Sequence, residues 1–128
     1  MNGNNYVDLA MRTNDGKSIV RLRNAVMNGY EEDGINDVGG ILNACLGLSG
    51  EVGEFNDMIK KWIFHEKDFD EVHAMKELGD IMWYVALMCD SFGWSLDEIL
   101  EMNVDKLKAR YPEGFSVQRA NNRKESDV

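Results

Sequence analysis

Apolar residues recur at alternating steps of three and four along most of the chain, which is the spacing that places them on one face of a helix. No segment shows the sustained alternation of a strand, and Pro112 is the only proline. The sequence therefore predicts an all-α protein, with a long central helix from Ile41 and another helix that ends at Gly93. Their apolar stripes are Ile41, Cys45, Leu48, Val52, Phe55, Ile59 and Trp62 in the first helix, and Met75, Leu78, Met82, Val85, Cys89 and Phe92 in the second.

Local signals divide the rest of the chain. We expect a first helix over residues 4–12, a second one within residues 17–30, an interruption of the long helix over residues 67–70, and a polar, loosely held tail over residues 116–128. The glycines expected to form a loop before the central helix are Gly29, Gly34, Gly39 and Gly40.

Capping residues mark the last two long helices. Asp68 with Glu71 resembles a helix start, and Gly93 a helix stop. Ser95 with Glu98 forms a capping box for a final helix that ends before Pro112. The predicted architecture is a single domain over residues 1–128 that forms a four- to five-helix bundle. The buried face of the final helix is expected to contain Leu96, Ile99, Leu100 and Leu107.

Composition narrows the class of protein. The longest apolar run, residues 81–89, falls short of the ~20 residues that a membrane span needs, and no secretory signal is recognisable at the start, so we expect a cytoplasmic protein without membrane contact. A net charge of −9 argues against nucleic acid as a partner, although metal ions can bridge carboxylates to a small phosphorylated ligand. Because the apolar run has no polar face, we expect it to be covered by self-association.

Two cysteines and one tryptophan are interpreted as core residues. Cys45 and Cys89 lack metal-binding spacing and are expected to be reduced, buried thiols. Trp62 is expected to pack in the core, with stacking on a nucleobase as the alternative.

The candidate chemistry lies in four acids, Glu51, Glu54, Glu77 and Asp80. Pairs at this spacing are common by chance in an acidic chain, but these four lie beside the apolar stripes, where a carboxylate needs a cation or a hydrogen-bond network. Oxygen ligands without histidine favour Mg²⁺, or Mn²⁺, over zinc and over the iron of Glu-x-x-His bundles. The alternative is an exposed set of carboxylates that pair with nearby lysines, namely Lys60, Lys61 or Lys76.

A glycine precedes the second acid of each pair, at Gly53 and Gly79. Glycine inside a helix costs about 1 kcal/mol relative to alanine, so both indicate either close helix approach or room for hydrated ions.

Basic and amide side chains form a line on the last helix. Asn103, Lys106 and Arg110 share one face, where they could bind phosphate oxygens. The alternative is a solvated face in which Lys106 and Arg110 pair with Glu101 or Glu113.

Three segments, GLSGEVGEFNDMIKKW, KELGDIMWYVA and NVDKLKARYPEGF, resemble in order and spacing the MazG-like nucleotide pyrophosphohydrolases of the all-α NTP pyrophosphatase superfamily. The resemblance covers residues 42–115, and residues 15–40 have no counterpart in it. It implies a dimer or tetramer that hydrolyses a nucleoside triphosphate to monophosphate and pyrophosphate.

The resemblance also implies the roles of residues. Glu51, Glu54, Glu77 and Asp80 would hold magnesium and serve catalysis, and one of them, with Glu54 a candidate, would accept the proton of the attacking water. Lys61, Asn103, Lys106 and Arg110 would contact the phosphates. Alternatives are a substrate-specific dUTPase-like or phosphoribosyl-ATP-hydrolysing relative, a helical interaction protein without catalysis, and a structural metal-binding bundle.

Overall fold

The computed structural model describes residues 1–29, 37–115 and 117–122, and these residues form helices without any strand. The all-α prediction is confirmed, and none of the described helices is long and apolar enough to cross a membrane. The helices are α1 Gly3–Met11, α2 Ser18–Asn28, α3 Val38–Phe64, α4 Glu71–Phe92, α5 Leu96–Arg110 and the short α6 Val117–Asn121.

The helices α3 and α4 form an antiparallel hairpin that carries most of the tertiary packing, and α2 contacts α3 to a smaller extent. The hairpin is tightest where α3 has no side chain. A Cβ at Gly47 would lie 2.1 Å from Cε1 of Tyr84, and a Cβ at Gly40 would lie 2.2 Å from Oγ of Ser91. These two glycines therefore let α4 approach the α3 backbone.

The predicted helix positions are confirmed for α1 and α2, and α2 ends at Gly29 with a φ of 64°. The loop prediction is wrong for Gly39 and Gly40, which lie in the first turn of α3. Asp37 caps that turn by accepting a hydrogen bond of 2.9 Å from Gly40 N, so the helix begins before the glycines. Gly34 lies outside the described residues.

The start of α4 also differs from the prediction. Asp70, rather than Asp68, is the N-cap, and its side chain accepts a 3.0 Å hydrogen bond from His73 N. The predicted end at Gly93 is confirmed by its left-handed φ of 73°, and Ser95 caps α5 through a 3.3 Å bond from Glu98 N. The helix α6 lies in the segment predicted as a loose tail, of which residues 116 and 123–128 are outside the description.

The face that α4 turns toward α3 is one residue away from the apolar stripe that the sequence predicted. This contact face includes the small residue Ala74 and the polar residue Ser91, which are both buried, and Tyr84, which lies against Gly47. The predicted stripe is buried only toward its end, at Cys89, while its first half is open: Met75, Leu78 and Met82 are half exposed or more.

Three residues interpreted as buried in α3 are exposed. Cys45 and Trp62 lie outside the contact with α4, as does Val52, so the core interpretation holds for Cys89 but is wrong for Cys45 and Trp62. The ring of Trp62 instead packs on Phe69, with centroids 5.2 Å apart. The predicted buried face of α5 is likewise open, with only Leu96 half-buried. Within the described part of one chain, no helix packs extensively on this face of α5.

Candidate metal and substrate site

The α3–α4 hairpin brings three of the four predicted acids together. Glu51 comes from the middle of α3, and Glu77 and Asp80 lie one turn apart on α4. One carboxylate oxygen of each lies within 4.8 Å of the others. Glu51 and Glu77 are half-buried, whereas Asp80 is exposed at the rim. We call these three residues the carboxylate cluster.

Glu51 and Glu77 shift each other's pKa values in opposite directions. The neighbouring Glu77 carboxylate raises the pKa of Glu51 to about 7, with further contributions from burial and from the charge of Glu54. The pKa of Glu77 is lowered, first by its interaction with Glu51 and then by that with His73. A proton shared between Glu51 and Glu77 explains both directions, because two adjacent carboxylates ionise together only at a high electrostatic cost.

The cluster fits a hard cation. The Oε2 atoms of both Glu51 and Glu77 are buried, and neither accepts a hydrogen bond from any described residue. Buried oxygens without a donor are costly, and a divalent ion would satisfy both. Nothing lies within 4 Å of a Cβ built at Gly53 or Gly79, so the interpretation of these glycines as points of close helix approach is wrong. The space at these glycines, which precede Glu54 and Asp80, is open.

Glu54 lies next to the cluster and faces a recess of about 330 Å³ between α3, α4 and the loop that joins them. We call this space the recess. Lys61 also lines the recess, and its Nζ lies 2.7 Å from a carboxylate oxygen of Asp57. Lys60 also pairs with Asp57, at 3.5 Å, so the alternative in which these two lysines neutralise the four acids is wrong. The lining consists of Glu54, Asp57, Met58, Lys61, Lys67, Asp68, Phe69, Asp70, His73 and Glu77.

A shallower pocket opens on the other side of the cluster. It is lined by Glu51, Asp80, Trp83 and Tyr84, and the two aromatic rings meet edge to face at 5.0 Å. The cluster thus lies between a recess with two lysines and an aromatic pocket whose described lining contains no cation.

Sequence reasoning missed several residues of the site. One is His73, which lies four residues before Glu77 and has its Nε2 atom 3.0 Å from Glu77 Oε1. Its i, i+4 spacing to Glu77 is a signal that could have identified it. Lys67 and Phe69 come from the α3–α4 loop, whose path has no periodic signature.

The predicted residues Asn103, Lys106 and Arg110 are not brought to the cluster in the described chain. They lie on α5, which lines neither the recess nor the aromatic pocket. Asn103 is exposed, while Lys106 and Arg110 are half-buried, and the guanidinium of Arg110 lies 5.9 Å from the ring centroid of Tyr111.

The fold and the site define an all-α protein with a carboxylate cluster suited to a divalent ion. Residues 41–115 match the MazG nucleotide pyrophosphohydrolase domain. The chain is also 33% identical over 95 residues to the Gene 37 protein of Mycobacterium phage L5. This match covers 69% of this chain and 81% of the phage protein. No solved structure matches it significantly. The chain belongs to the MazG nucleotide pyrophosphohydrolase domain family, which confirms the predicted resemblance.

Proposed function

We propose that this protein hydrolyses nucleoside triphosphates to nucleoside monophosphates and pyrophosphate, in control or house-cleaning of the nucleotide pool, with Mg²⁺ as the ion and Mn²⁺ as its alternative. The observation that carries the proposal is the carboxylate cluster with its two buried, unpartnered oxygens, in a chain of the MazG family. The recess beside it is of a size that small-molecule sites have.

The roles follow from position. Glu51, Glu77 and Asp80 would hold the ion, which would supply charge neutralisation and activation of water. Glu54 is exposed toward the recess next to the cluster, so we assign it as acceptor of the proton that the attacking water loses. Lys61 would bind phosphate oxygens as the P–O bond to the leaving pyrophosphate breaks.

We also assign Asn103, Lys106 and Arg110 to phosphate binding. Because α5 lines neither pocket of its own chain, this role needs α5 to meet the cluster of a second copy in a dimer or tetramer. The open apolar faces of α4 and α5 support such self-association, since Leu78 and Leu107 are 53% and 45% exposed. Mixing Glu77→Gln chains with Lys106→Ala chains should restore activity that each lacks alone, and no recovery after demonstrated exchange would reject a shared site.

The test of the function is pyrophosphate release from a panel of ribo- and deoxynucleoside triphosphates with and without Mg²⁺. Single substitutions Glu51→Gln, Glu54→Gln and Glu77→Gln should each lower kcat/KM by at least about 100-fold, since each removes a metal ligand or the proton acceptor. The matched control is Asp97→Asn, which removes one carboxylate from the first turn of α5 and should leave turnover unchanged.

Each alternative gives a different result. Turnover of one nucleotide alone would indicate a substrate-specific relative. Mg²⁺-dependent melting without turnover would indicate a structural metal site. The absence of both turnover and metal binding would reject the proposed function altogether.

A further inference from the structure

We propose that Lys67 is a second phosphate-binding cation of the recess, which together with Lys61 holds the pyrophosphate part of the substrate. This inference rests on the proposed function and deepens it, since it states where the leaving group lies. Lys67 belongs to the α3–α4 loop and was not among the residues that the sequence singled out.

The described lining of the recess contains five acidic residues and two lysines. Glu54 and Glu77 line it next to the carboxylate cluster, and the only lysines among its described lining residues are Lys61 and Lys67. If an ion held by the cluster binds one phosphate of a triphosphate, the other phosphates would lie close to the cluster, on one of its two open sides. The aromatic pocket on the opposite side offers them no cation, so the recess is the side that favours phosphate.

The two lysines differ in how far their charges are already satisfied. Lys61 forms an ion pair with Asp57, with Nζ 2.7 Å from a carboxylate oxygen. Lys67 forms no ion pair with any residue in the described part of the chain. Binding phosphate therefore costs Lys67 no existing partner, whereas Lys61 must share its charge.

The end of α3 fixes the backbone at Lys67. The amides of His65 and Lys67 both donate to the carbonyl oxygen of Lys61, each at 3.1 Å, so the chain folds back at this point. Glu66 between them has a φ of 54°, in the left-handed region where glycine is usual at a helix end. A non-glycine residue is held in that region only when the surrounding structure determines it. The turn thus holds the Lys67 backbone against the end of α3 at Lys61, and both side chains line the recess.

A pair of lysines also suits the ligand. An ammonium group acts as a point charge that can follow phosphate oxygens as a bond breaks, without the fixed geometry of a guanidinium fork. Two such charges would offset part of the negative charge of a bound triphosphate, which the five acids of the lining would otherwise repel.

The experiment compares Lys67→Ala and Lys67→Arg with Lys60→Ala. Lys60 is the matched control because it lies beside Lys61 on α3 but does not line the recess. Binding of inorganic pyrophosphate in the presence of Mg²⁺ is measured by calorimetry, and kcat and KM are measured for a triphosphate that the wild type turns over. Circular dichroism and melting check that each variant is folded.

We expect Lys67→Ala to weaken pyrophosphate binding about tenfold and to raise KM by a similar factor, as loss of one charge-assisted contact does. Lys67→Arg should recover most of the binding, and Lys60→Ala should stay within about twofold of the wild type. Equal effects of Lys67→Ala and Lys60→Ala would overturn the inference, since that pattern reflects net charge alone, and so would a wild type that binds no pyrophosphate. Absent turnover would refute the proposed function, while the binding measurement would still decide the role of Lys67.

Discussion

The close contact between Gly47 and Tyr84 predicts a sharp difference between two alanine substitutions in one helix. In Gly47→Ala the new methyl group would lie 2.1 Å from one ring carbon of Tyr84 and 2.4 Å from two others, well inside van der Waals contact. In Gly50→Ala, three residues further along α3, the methyl group would meet nothing within 4 Å. Both substitutions gain the same helix propensity, so their difference isolates the contact.

The magnitudes follow from these distances. Replacing glycine by alanine inside a helix stabilises by about 1 kcal/mol. Overpacking at a close helix contact costs about 1–3 kcal/mol, because the ring must swing out or α4 must shift. We therefore expect Gly50→Ala to raise the free energy of unfolding by about 1 kcal/mol and Gly47→Ala to lie about 1–3 kcal/mol below it.

Urea unfolding at one fixed protein concentration measures both values, since self-association would otherwise shift them. A second measurement links the contact to the site. Tyr84 lines the aromatic pocket with Glu51 and Asp80, so Gly47→Ala should also weaken Mg²⁺ binding. If Gly47→Ala proved as stable as Gly50→Ala and bound Mg²⁺ equally well, the close approach of α3 and α4 at this point would be wrong.

Two further predictions concern α4 and the cluster. Asp70→Ala should lower the free energy of unfolding by about 1 kcal/mol, because the cap on His73 N is lost, whereas Asp68→Ala should change it little in the same urea titration. The raised pKa of Glu51 means that the stabilising effect of its proton is complete below its ordinary value of 4.5 and is lost as the pH rises through about 7. The lowered pKa of Glu77 acts in the opposite sense, and only below 4.5. Without metal, the melting temperature of the wild type should therefore fall between about pH 5 and about pH 8 relative to that of Glu51→Gln. Addition of Mg²⁺ should reverse this fall in the wild type only. Parallel pH profiles of the two proteins would contradict the reasoning.

Much of the fold was predictable because its signals are local. The cap at Ser95 and the stop at Gly93 depend on residues within one turn of each helix end, and both were confirmed. The helix α3 begins at Val38 rather than at the predicted Ile41, because the carboxylate of Asp37 caps the turn that contains Gly39 and Gly40. Where two local signals compete, the one that satisfies backbone amides determined the boundary.

The contact face of α4 was not predictable from apolar periodicity. Hydrophobicity favoured Met75, Leu78 and Met82, but α4 turns the adjacent face, with Ala74 and Ser91, toward α3. Small residues permit closer backbone approach than long ones, and the glycines of α3 mark where that happens. The apolar stripe of α4 therefore identified an apolar surface that stays open in the described chain, and not the face that packs on α3.

The carboxylate cluster shows the same separation between pattern and contact. Spacing alone did not distinguish Glu51 from Glu54. Both interact with Glu77, but only Glu51 belongs to the group whose carboxylate oxygens lie within 4.8 Å of one another. Below the raised pKa of Glu51, which is about 7, a proton on this carboxyl allows the two acids to lie side by side. A single proton joins at most two oxygens, whereas a divalent ion can contact several at once. We therefore expect the affinity of the cluster for a divalent ion to rise as the pH passes through the pKa of Glu51, because binding of the ion displaces a proton from the cluster.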